Sequence, residues 1–209
     1  MATPKRPYSS PLRADQARLT RRRVVDAARD QFVAHGYTGA TLARVARDAG
    51  VSLQTVYNTV GGKAALLSAA YDMALAGDDE PVPIAERPAY RAMLTAGDAH
   101  TCLDHYAALS RDLAERAAPL VAVILAEAGN PDVRALAEVA EQQRARGTAG
   151  VARHVAERFG LRPDLTAAEA ADILWALTAP ETAVRLLGRG WTWDRYQSWL
   201  ADTMVRALV

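Results

Sequence analysis

The sequence predicts an all-α protein in which an N-terminal three-helix domain is joined by a bridging helix to a larger C-terminal helical domain. Three observations predict it. Apolar residues recur at the i, i+3, i+4, i+7 spacing of a buried helical stripe, as in Leu42, Val45, Ala46 and Ala49. No alternating strand pattern competes with these stripes. Helix starts are also marked. Asn130-Pro131 supplies a cap and a first-turn proline, while Thr166-x-x-Glu169 and Thr178-x-x-Glu181 have capping-box spacing. With 209 residues, half of them hydrophobic, the chain can bury one large or two modest helical cores.

Residues 1–17, where Pro4, Pro7 and Pro11 flank Ser9 and Ser10, read as a flexible tail. A first helix is expected from Leu19 to His35, burying Val25, Ala28 and Phe32, with Arg21, Arg22 and Arg23 crowding its start. Positive side chains at a helix N-terminus oppose its macrodipole, so these arginines point to a phosphate partner. Thr41 caps the second helix, and Gly50 stops it by accepting the left-handed conformation often needed just past a helix end. Ser52 caps a third helix, Leu53 to Thr59, whose apolar positions are Leu53 and Val56. Gln54, Thr55, Tyr57 and Asn58 point elsewhere and form a polar face.

Leu66, Leu67, Ala70, Tyr71 and Ala74 carry a fourth helix to about Ala76, before GDDEPVPIAERP breaks the chain with glycine, prolines and acids. Further helices are expected over Tyr90–Thr95, Asp98–Ala117, Pro119–Ala128, Pro131–Phe159 and Thr166–Leu177. A final amphipathic helix carries the stripe Trp199, Leu200, Thr203, Met204, Ala207 and Leu208. Leu174, Leu177, Val184, Leu186 and Leu187 supply a partner surface just before it. The divisions expected are 1–17 as tail, 18–63 as the helix-turn-helix domain and 64–209 as the C-terminal domain.

Charge separates the halves. Residues 1–63 hold eleven Lys and Arg against four Asp, a net of +7. The whole chain is +1, which leaves −6 for residues 64–209. A basic half with a capped two-helix corner suits nucleic acid; the competing reading joins the same two helices in an ordinary bundle that binds a small molecule or a partner and reads no specific DNA. Catalytic signatures are missing: there is no Gly-rich phosphate loop after a strand, no Gly-x-Ser-x-Gly elbow and no His-Glu-x-x-His pair, so no enzyme and no cofactor is expected. His100 and His105 stand five apart, which splays them on a helix and disfavours a shared metal. A lone Cys102 excludes an internal disulfide and reads as a small buried hydrophobe. With no run near the roughly 20 apolar residues of a membrane span and no signal-peptide core, a cytoplasmic location without membrane contact is expected.

Over residues 20–75 the chain resembles the TetR family of bacterial transcriptional repressors. The matching residues are Phe32, Gly36 and Tyr37, then Thr41, the turn Ala49-Gly50-Val51-Ser52, Tyr57 in the third helix and Lys63 opening the fourth. The stretch Asn58-Thr59-Val60-Gly61-Gly62 departs from the family's usual His-Phe and following Ser or Asp. A weaker resemblance covers the C-terminal stretch, with Trp175 before a Thr-x-Pro-Glu corner and Gly190-Trp191 before the last helix. The resemblance implies a homodimer that binds a double-stranded, palindromic operator and releases it when a small-molecule effector occupies the C-terminal domain. By it, Gln54, Thr55 and Asn58 face bases, while Thr41, Ser52, Tyr57 and Lys63 hold phosphates. His105, Tyr106, Leu109, Glu127 and Trp175 become effector candidates, and Val184, Leu187, Trp199, Leu200 and Met204 become dimer-interface candidates.

Overall fold

The computed structural model describes residues 11–78, 80 and 82–209. Ten α-helices and one 3-10 turn lie among the described residues, and no strand does. The chain divides into two compact units between Ala70 and Tyr71, seven residues beyond the boundary expected at Lys63. No helix among the described residues is long and apolar enough to cross a membrane.

The first unit is built from α1 (Pro11–Gly39), α2 (Leu42–Ala49), α3 (Leu53–Thr59) and the start of α4 (Lys63–Ala76). Its core buries Val24, Val25, Ala28, Phe32, Val45 and Val56, residues that share the inward stripes of the first three helices. Helix α1 starts at Pro11, not Leu19, so Arg13 to Ala17 are helical instead of tail. Proline suits a first helical turn, where its missing N–H is no loss. Residues 1–10 of the expected tail, Lys5 and Arg6 included, lie outside the described residues. Gly36 breaks α1 at φ 68°, ψ 176°, one residue after the expected end at His35. This swing lets buried Tyr37 stack on Phe32 with ring centroids 5.9 Å apart.

The second unit contains α5 (Pro88–Leu94), α6 (Ala99–Ala126), α7 (Pro131–Phe159), α8 (Ala167–Leu177), α9 (Pro180–Leu187) and α10 (Trp193–Leu208), with a 3-10 turn at Ile84–Glu86. Its core joins Met93, Leu103, Val155, Leu174, Leu200 and Met204, with α7 packed on α8 and α10 on α6. Two expectations fail here for stated reasons. Asp98–Ala117 and Pro119–Ala128 form one helix, because the face through Leu109, Ala114, Ala117, Leu120 and Val121 is buried without interruption. An internal proline costs about 3 kcal/mol, which is no more than the burial of one or two such side chains returns. Thr178 does not cap α9 with Glu181. Pro180 takes the first-turn position, the N-cap falls on Ala179, and the Thr178 hydroxyl donates back to Leu174 O at 2.8 Å. The cap and first-turn proline at Asn130-Pro131 and the capping box at Thr166 form as expected, the box with both reciprocal bonds.

Candidate nucleic-acid interface and cavity

In the first unit, Thr41 Oγ1 accepts from Arg44 N at 3.3 Å and starts α2. Gly50 ends it in the left-handed region, φ 65° and ψ 40°, and Val51 N then donates to Ala46 O at 2.9 Å. Arginines of α1 meet the ends of the next two helices. Arg23 donates to Ala49 O, and Arg21 Nη1 donates to Thr59 O at 3.2 Å. Both carbonyls lie in last turns, where a cation favours the helix dipole. The arginines thus have structural work in the interior of α1, which corrects the expectation that only a phosphate explains them.

Ser52 Oγ accepts from Thr55 N at 3.0 Å and lies 2.7 Å from Thr55 Oγ1, which fixes the first turn of α3. Val56 is the buried residue of this helix. Leu53 is 44% exposed, so only one of its two expected apolar positions is inward. A seven-residue helix has room for one anchor per two turns, and Val56 occupies it. Gln54 and Asn58 are exposed one turn apart, and Gln54 Nε2 donates to Asn58 Oδ1 at 2.8 Å. Tyr57 is exposed, while Thr55 is half-buried. Lys63 Nζ donates to Thr38 O at 3.0 Å and sits 4.8 Å over the Tyr37 ring. Of the groups expected to meet DNA, Gln54, Thr55, Tyr57 and Asn58 lie on α3, with Gln54 bonded to Asn58, while Thr41, Ser52 and Lys63 stand at the starts of α2, α3 and α4.

In the second unit, a cavity of about 320 Å³ opens between α6 and α7 and reaches Tyr71 and Leu75 of α4. Tyr106 and Leu109 line it, as the effector candidates require. His105, Glu127 and Trp175 do not: His105 is exposed on the other face of α6, Glu127 caps the C-terminus of α6, and Trp175 is 40% exposed. The Trp175 ring instead carries the Arg144 guanidinium at 4.6 Å, and its carbonyl accepts from Arg144 Nη1. Burial pushes the Tyr106 phenol up to about 12; burial, then the Glu141 and Glu181 carboxylates, do the same to Tyr71. Both phenols are thus neutral donors at ordinary pH.

Arg144, Gly147, Thr148 and Val151 line the opposite wall, and sequence reasoning passed over them. Their signal was present. Residues 140, 144, 147, 148 and 151 form one helical stripe on α7 that faces the stripe 106, 109, 110, 113, 114 and 117 of α6. An inward stripe that mixes Ala, Gly, Thr and Arg cannot close on its neighbour as leucines would, and a cavity results.

The dimer candidates separate into two groups. Leu200 and Met204 are fully buried within their own unit and cannot touch a second copy, which corrects their assignment. Helix α10 buries them on α6, so one half of its wide stripe is spent inside the subunit. Val184 and Leu187 are half-buried, as is Trp199, whose ring meets Trp191 edge-on at 5.9 Å.

Two capped helices hinged on a left-handed glycine, the second with an exposed polar face, define a helix-turn-helix protein. Residues 24–70 match the family model of bacterial regulatory proteins of the tetR family. It is similar to the HTH-type transcriptional regulator TtgW of Pseudomonas putida, itself uncharacterized, with 46% identity over 56 residues. That stretch is 27% of this chain and 42% of TtgW. The regulator SrpR of Pseudomonas putida shows the same 46% over 56 residues, 26% of its length. The match thus spans less than half the length of these relatives. Among solved structures, NalD of Pseudomonas aeruginosa, the secondary repressor of the MexAB-OprM multidrug efflux pump, shares the fold at TM-score 0.69 and 20% identity. That likeness covers 93% of this chain and 98% of NalD.

Proposed function

We propose that this chain is a DNA-binding transcriptional regulator, not an enzyme, that grips a near-palindromic operator as a homodimer and is released by a small molecule in the C-terminal cavity. The observation that carries the reading is the exposed Gln54–Asn58 pair on a capped helix behind a left-handed Gly50. Side chains of this kind bond to adenine in the major groove in a bidentate way, and in this reading Thr41, Ser52, Tyr57 and Lys63 hold phosphates. Repression is favoured by the likeness to NalD, which is described as a repressor.

A dimer follows from reach, since one seven-residue helix covers too few base pairs to select a site within a genome. Val184, Leu187 and Trp199 are the candidates for its interface. Effector response requires a coupling element. Helix α4 runs from Lys63 into the cavity wall at Tyr71 and Leu75, and Arg116 of α6 donates to its last carbonyls, Ala74 O at 3.1 Å and Leu75 O at 2.9 Å. An occupant that favours one placement of α4 shifts DNA affinity, and DNA weakens that occupant by the same factor.

Selection from a random duplex library tests the function. The expected outcome is a near-palindrome with half-sites centred about one helical turn apart, roughly 34–36 Å, and two chains per duplex. Recovery of unrelated sequences, with no enrichment over successive rounds, would refute the reading.

A further inference from the structure

The cavity has one charged wall residue among the described residues, Arg144, and that charge is already engaged. Arg144 Nη2 lies 2.5 Å from Glu141 Oε2 and Nε donates to Oε1 at 3.2 Å, with Nη1 held by the Trp175 carbonyl. An anionic ligand would have to displace Glu141, and a cation finds no carboxylate among the described lining residues. Either ion would be desolvated without a partner. The remaining polar groups are neutral: the hydroxyls of Tyr71, Tyr90, Tyr106, Ser110, Thr148 and Thr178, and the Gln143 amide.

The mouth carries a second signal. Tyr106, Leu109, Ala114 and Val151 are buried in the depth of the cavity, whereas Ala85, Gln143 and Gly147 are exposed at its edge. Gly147 lies inside α7, where glycine is a worse helix former than alanine. Its backbone gives no reason for glycine, since it is not among the positive-φ residues. Packing gives none either: a Cβ at 147 would meet nothing within 4 Å. A side chain there would stand in open space at the cavity wall that Gly147 lines.

We propose that this cavity takes an uncharged, largely apolar ligand that enters past Gly147, whose missing side chain keeps the mouth open. This rests on the effector reading above and adds the ligand's chemical class and its gate.

The test uses three fluorescent naphthalene probes of different charge: N-phenyl-1-naphthylamine, its sulfonate 8-anilinonaphthalene-1-sulfonate, and the cation N,N,N-trimethyl-1-naphthylammonium. Each is titrated into the full-length protein and into Gly147→Ala and Gly147→Leu, and melting temperatures are recorded alongside. The uncharged probe should bind roughly tenfold or more tightly than either ion. Gly147→Leu should weaken it by about tenfold and slow its entry, with a smaller loss in Gly147→Ala, while both melting temperatures stay level or rise. A merely structural glycine would show the opposite, a lower melting temperature with unchanged affinity. A sulfonate that binds as well as the amine, or a Leu variant that binds the amine as tightly as the natural protein, overturns this inference alone. Failure of all three probes to bind the natural protein overturns the effector reading beneath it as well.

Discussion

Gln54 and Asn58 already satisfy one another across a helical turn, so a base that accepts and donates to this pair meets groups whose rotamers are restrained in advance. Gln54→Ala removes one arm and frees the other. It should cost about 1–3 kcal/mol on the selected operator and almost nothing on random duplex, as read by fluorescence anisotropy on both. Equal losses on the two duplexes would remove Gln54 from base readout. Gly50 is a second residue whose identity is physically required. Alanine there would take a strained left-handed backbone and place its Cβ 2.8 Å from Arg23 Nη2, which is bonded to Ala49 O. Gly50→Ala should therefore lower stability by about 1–2 kcal/mol in urea unfolding. At this scale the turn was legible in the sequence, because Thr41, Gly50 and Ser52 each have one local role. The tasks of Arg21 and Arg23 were not legible, since their partners, Thr59 O and Ala49 O, lie 38 and 26 residues away.

At the scale of elements, α10 shows how a stripe of the right width can be read for the wrong partner. Leu200 and Met204 share an inward row with Tyr196 and Leu208, and all four are fully buried inside the subunit. Periodicity reports that a face is covered, and not by which chain. Leu200→Asp would thus destabilise the subunit by more than about 4 kcal/mol and say nothing about assembly. Leu187 on α9 is the better probe, being half-buried beside Leu186, which packs into the core. Leu187→Glu should leave the helical circular dichroism intact while light scattering falls to the monomer mass. A dimer that survives this change would move the interface elsewhere. The α6 helix carries the complementary lesson: a proline signals a boundary only when burial on either side is not continuous, and around Pro119 it is.

For the molecule as a whole, three phenols join the cavity wall and core to pH. Burial is the leading cause that pushes Tyr71, Tyr106 and Tyr196 up to about 12, and Tyr196 Oη has no hydrogen-bond partner among the described residues. An unfolded tyrosine ionises near about 10. Above that pH the unfolded chain has lost protons that the folded chain still holds, so stability falls as pH rises. The contribution is complete below about pH 10 and is lost through about pH 12, and phenolate absorbance should show these groups titrating only as the fold melts. Free titration of all seven tyrosines near about pH 10, with the fold intact, would contradict the burial on which the cavity depends.

The division into a basic N-terminal half and an acidic remainder was visible in the charges alone, and it sets the most direct test of DNA recognition. Binding of the purified protein to its selected duplex and to a scrambled one should be measured across a series of salt concentrations. Phosphate neutralisation releases counterions, so the logarithm of affinity should fall linearly and steeply with the logarithm of salt on both duplexes, the selected one remaining tighter by roughly a thousandfold or more. Affinity that is indifferent to salt, or equal for the two duplexes at every concentration, would contradict the claim that α3 reads a DNA groove.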